Sequence, residues 1–104
     1  MQKFGLYPNR SSHNTAIELE IAREQASALG RAGRKLRLSL ESYQGRCNEN
    51  LTEQEDRLLI KEISANVWAL LLQREFLGFT EGNIDWVRAH YSIPKAAIEH
   101  LGRS

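Results

Sequence analysis

Arg31, Arg34 and Lys35 surround Gly30 and Gly33 in the stretch ALGRAGRKL, residues 28–36. Glycines among cations are the raw material of a phosphate cradle, in which backbone amides wrap the anion and a lysine reaches it. The spacing removes that chemistry. A P-loop needs four residues between its glycines and then Gly-Lys-Ser/Thr, and a dinucleotide fingerprint needs three glycines directly after a strand. Only two residues separate Gly30 from Gly33, and no strand pattern precedes them. The remaining reactive side chains are His13, His90, His100 and the single cysteine, Cys47. None of them falls into HExxH, ExxH or CxxC spacing, so neither a zinc site nor a di-iron bundle is expected. Cys47 follows Arg46 in the polar stretch YQGRCNEN and reads as a surface cysteine in a loop. No catalytic residue, metal ligand or cofactor is therefore assigned.

Two arginine features remain. Arg74 interrupts an apolar row between Leu70 and Leu77. In an antiparallel hairpin the end of the second helix lies beside the start of the first. Glu20 and Glu24 then come within reach, and a partly buried Arg74–Glu pair that fixes register is the preferred reading. An arginine gripping an anionic ligand is the alternative. Arg31, Arg34, Lys35 and Arg37 form a basic patch on the side away from the apolar seam. Interleaving with Glu20, Glu24 and Glu41 makes it a solvated face, with an anionic partner as the second reading.

The elements that must position these residues follow from periodicity. Residues 1–13 read as an irregular arm and 14–104 as one helical domain, with helices at about 15–44, 52–77, 83–91 and 94–101. The first helix is capped by Asn14 or Thr15 and ends near Gly45. Its seam is Leu19, Ala22, Ala26, Leu29, Gly33, Leu36, Leu40 and Tyr43, spaced alternately by three and four residues. The register is unbroken across both glycines, so they are helix interior. Gly33 falls in the seam and Gly30 near its edge. Together with Ala26 they admit a bulky neighbour, for which Trp68 of the facing helix is the candidate.

TEQE at 52–55 is a capping box that opens the second helix. Its seam is Leu59, Ile60, Ile63, Val67, Leu70 and Leu77, with Trp68, Leu71, Leu72 and Phe76 on other sides. The C-terminal half of this helix is therefore apolar nearly all round, which marks a central, buried element. Gly78 is its stop. Ile84, Val87 and Tyr91 point inward from the third helix, and Pro94 sits in the first turn of the fourth. The fold class is all-α: an antiparallel hairpin of two long helices closed by two short C-terminal helices, bundle-like.

Totals narrow the functional classes. A net charge of +1 over 104 residues creates no global field for nucleic acid or an anionic membrane. The longest apolar run, VWALLL, is far too short to span a bilayer. One cysteine allows no intrachain disulfide, and the N-terminus has no signal-peptide pattern, so a cytoplasmic setting is expected. Residues 87–101 resemble a helix-turn-helix unit through Tyr91, Ile93, Pro94, Ile98 and Leu101, with Ser92 and Arg88 departing from its usual Gly and Ala. That unit would contact DNA through Lys95, His100 and Arg103. AIELEIAREQASALGRAGRKL, VWALLLQRE and SIPKAAIEHLG together resemble a small family of uncharacterised bacterial helical proteins. The resemblance implies an all-helical fold and a bacterial source, and no activity. The expectation is a non-enzymatic helical protein that works through protein–protein contact, as a homodimer or with a further protein partner. DNA binding by residues 87–101 is the alternative, disfavoured by their near-neutral charge.

Overall fold

Heptad seams and one capping box build a long helical hairpin. The structure is a computed structural model that describes residues 8–47 and 49–101. Four helices follow in order: α1 (Pro8–Cys47), α2 (Glu53–Phe76), α3 (Asn83–His90) and α4 (Lys95–His100). All regular structure among the described residues is helical. α1 and α2 run antiparallel. At their connected ends the Tyr43 hydroxyl donates to Asp56 at 2.9 Å, and Arg46 reaches Glu55 at 3.3 Å.

α2 begins as its sequence predicts. The Thr52 hydroxyl accepts from the Glu55 amide at 3.0 Å, and the Glu55 carboxylate accepts from the Thr52 amide at 2.9 Å. The Thr52 amide, helped by Arg46, holds the Glu55 carboxyl below its ordinary range. α2 ends at Gly78, whose φ of +96° places it in the left-handed region. The Phe79 amide donates to the Arg74 carbonyl, and the Gly78 amide to the Glu75 carbonyl. That pair of bonds is a Schellman motif, and it turns the chain toward α3.

Both ends of α1 differ from expectation. The helix already includes Pro8, so residues 8–13 are helix and not irregular arm. Residues 1–7 lie outside the described ones. At the other end Gly45 is inside the helix, which runs on to Cys47. Nothing lies within 4 Å of a Cβ built on Gly45, so only helix propensity opposes it there.

The core draws on all four helices. Leu36 and Leu40 of α1 meet Ile60, Ile63, Val67, Leu70 and Leu71 of α2, closed by Val87 of α3 and Ala97 of α4. The α1 seam is covered only from Leu29 onward. α1 is 40 residues long and α2 is 24. At 1.5 Å per residue these are about 60 and about 36 Å, so α1 sets the long axis of the 63 × 22 × 21 Å molecule. Its N-terminal part projects past α2.

Candidate functional site

Gly33 is where α1 meets the C-terminal segment. A Cβ built on Gly33 would lie 3.0 Å from the Tyr91 hydroxyl. The bulky neighbour admitted by the small residue is therefore Tyr91, not Trp68. Trp68 is 54% exposed and turned away from the hairpin. Gly30 and Ala26 are exposed, and a Cβ on Gly30 would meet only the Arg34 guanidinium, at 3.8 Å. The predicted group Gly33, Gly30, Ala26 and Trp68 thus reduces to Gly33 alone, because α3 and the loop after it fill the space assigned to the tryptophan.

Arg74 is buried, as its place in the seam requires, but its partners are different. Its Nε donates to the Asn83 side-chain oxygen at 2.8 Å. Its guanidinium lies 3.8 Å from the Trp86 ring centroid and 4.4 Å from that of Phe79. Asn83 in turn donates to the Phe79 carbonyl at 2.6 Å. Glu20 and Glu24 stay exposed, and among the described residues no carboxylate pairs with Arg74. The guanidinium is a planar staple between the end of α2 and α3, stacked on aromatics as arginine suits and lysine does not. His90 adds to the same cluster, with its ring stacked 4.0 Å from Trp86.

The basic patch lies on the surface. Arg31, Arg34, Lys35 and Arg37 are all exposed, and Arg37 pairs with Glu41 one turn on at 3.9 Å. Of the helix-turn-helix candidates, Lys95 and His100 lie on α4. Lys95 is drawn to Glu99 at 4.0 Å, and His100 lines a hollow beside Trp68. Arg103 and Gly102 lie outside the described residues, as do the side chains of His13 and Cys47. Ile84, predicted inward, is 44% exposed, and Trp86 takes the inward place. Pro94 is the N-cap of α4 and not a first-turn residue. No group of three or more His, Cys, Asp or Glu side chains among the described residues is placed to hold a metal ion. No described helix is long and apolar enough to cross a membrane.

The distinctive surface is apolar. α2 has two faces. Ile60, Ile63, Val67, Leu70 and Arg74 face the core. About 180° away, at 3.6 residues per turn, run Leu58, Glu62, Ala65, Ala69, Leu72 and Phe76, spaced by four and three residues alternately. Leu58 is 59% exposed and Phe76 63%, and only Leu72 of the six is half-buried. Trp68 stands at the edge of this stripe. It is a ridge between two hollows, one of about 390 Å³ toward Lys61 and Leu101 and one of about 350 Å³ toward Leu72 and Ile84. The all-round apolarity of α2 predicted burial, yet α1, α3 and α4 cover only part of it. The 4–3 spacing of the outer stripe was present in the sequence as a second seam. A second exposed apolar surface lies on the projecting part of α1, at Ile17, Leu19 and Ile21.

Asn66 flanks the core in the row Leu59, Ile63, Asn66, Leu70. Its side-chain Nδ2 is buried with no hydrogen-bond partner. Such a group costs about 1–3 kcal/mol.

No protein-family model, curated protein or solved structure matches this chain.

Proposed function

We propose that this protein is a non-enzymatic helical module that works by self-association, two hairpins pairing into a four-helix arrangement. The outer stripe of α2 carries the reading. Scattered apolar side chains on a surface are ordinary, but a contiguous seam at heptad spacing, with Leu58, Trp68 and Phe76 each more than half exposed, is a helix-packing surface without its helix. The apolar character of that surface favours a protein contact over chemistry on a small polar substrate. Isologous pairing about a two-fold axis is the commonest way to cover such a face. A cytoplasmic setting fits the single cysteine. Light scattering coupled to gel filtration tests the proposal: a dimer is expected at tens of micromolar, and a strict monomer there refutes it.

A further inference from the structure

We infer that two copies pair antiparallel along the outer stripes of α2, with the two-fold axis passing beside Trp68. The inference rests on the self-association reading and adds the face, the direction and the register.

Three observations on α2 converge on this arrangement. The first is size. In an antiparallel pair centred on residue 68, Leu72 of one copy falls over Ala65 of the other, and Phe76 falls beside the second Leu58. Large side chains meet small ones or the open end of the stripe, as packed helices require. Ala65 and Ala69 sit next to the axis and let the two backbones approach closely.

The second is charge. Lys61, Trp68 and Glu75 occupy one heptad position, each seven residues from the next, along one flank of the stripe. In an antiparallel pair a flank faces its own copy with heights reversed. Lys61 therefore faces Glu75 of the second copy, twice over, with Trp68 against Trp68 between them. Within the single chain Lys61 and Glu75 belong to none of the ion pairs formed among the described residues. A parallel pairing would turn this flank toward the opposite one, formed by Leu59, Asn66 and Gln73, which offers no charge to either Lys61 or Glu75. The charges thus select direction as well as register. Glu62, the one charged member of the stripe, stands between Leu72 and Phe76 of the second copy in this register, on the side of the stripe away from Trp68, where its carboxylate reaches solvent at the edge of the contact.

The third is the tryptophan itself. A half-exposed Trp68 between two hollows has the shape of an interface anchor, which characteristically lies near the centre of the contact. The stripe from Leu58 to Phe76 is about 27 Å long at 1.5 Å per residue.

A charge-swap series on the full chain tests this by sedimentation equilibrium, with circular dichroism to verify folding. All the altered positions are exposed, so the monomer fold is preserved. Lys61→Glu alone and Glu75→Lys alone each set like charges face to face at two places. Each should weaken the dimer by about tenfold. Mixing the two single variants should restore a heterodimer of near-parental affinity, as should the double variant with itself. Ala69→Arg, at the centre of the stripe, should leave a folded monomer. If the parent dimerises while Ala69→Arg and both charge reversals leave it unchanged, the dimer uses another face. That result overturns the inference and leaves self-association standing. If both single variants weaken the dimer but their mixture does not restore it, the antiparallel register is wrong. A monomeric parent overturns both readings.

Discussion

Replacing Gly33 by leucine should lower the melting temperature by several degrees, and replacing Gly30 by alanine should raise it. The two glycines are one turn apart in the same helix and carry the same helix-propensity penalty, about 1 kcal/mol each against alanine. What differs is the space beside them. A Cβ on Gly30 meets only Arg34 Nη1 at 3.8 Å, an ordinary contact with the far end of a flexible side chain. Gly30→Ala therefore gains most of the propensity term, and in a domain of this size 1 kcal/mol corresponds to about 4–8 °C. A Cβ on Gly33 meets the Tyr91 hydroxyl at 3.0 Å. Tyr91 is half-buried, caps α3 and packs edge-on to Trp86 at 6.4 Å. Moving its hydroxyl a little offsets part of the gain in Gly33→Ala. The further carbons of leucine must displace the ring, and overpacking of that kind costs about 1–3 kcal/mol. That exceeds the propensity gain. Thermal and urea unfolding followed by circular dichroism measures each variant. A Tyr91→Phe background supplies the control, because removing the hydroxyl frees the space and Gly33→Ala should then gain as much as Gly30→Ala. The reasoning fails if Gly33→Leu is as stable as the parent, or if Gly33→Ala and Tyr91→Phe act independently in a double-mutant cycle.

Arg74→Lys keeps the charge but loses the planar stack on Trp86 and Phe79 and the Nε bond to Asn83. It should destabilise the protein by about 1–3 kcal/mol in urea unfolding, and an unchanged midpoint would show that the staple carries no stability. Glu55 titrates below its ordinary range when folded, so the stability it contributes is fully present above the ordinary value of 4.5 and is lost as the pH falls from there through the depressed value. Glu55→Gln should accordingly flatten the acid limb of the stability profile, and an identical slope in the two proteins below that pH would rule out the capping carboxylate as its source.

Much of the fold was legible in the sequence because it rests on local signals. The capping box at Thr52 and Glu55 needs only four consecutive residues, and the α1 and α2 seams need only regular spacing. Gly78 announces its turn by being the residue that accepts a positive φ. Other features depend on where a distant segment lands. Gly33 is visibly a packing position, but its neighbour is decided by how α3 and its following loop fold back, and that brings Tyr91 instead of Trp68. Arg74 is visibly inward, yet its partners are an amide and two rings from the short segment after Gly78. Phe79, Asn83 and Trp86 lie close to Arg74 in sequence but carry no charge, so nothing in their residue types marks them as partners of a guanidinium. The apolarity of α2 was also plain. Periodicity reports which faces of a helix are apolar and does not report which of them the rest of the chain is long enough to cover.

The projecting part of α1 has a consequence for how fast this protein can be met. An isolated helix must first form a costly nucleus of one hydrogen-bonded turn, whereas extending an existing helix requires only propagation. The half of α1 clamped by Leu36 and Leu40 in the core is such a nucleus, permanently in place. The turns bearing Ile17, Leu19 and Ile21 grow from it one residue at a time. Any contact made at that end would therefore meet a surface already wound, with little chain entropy left to remove.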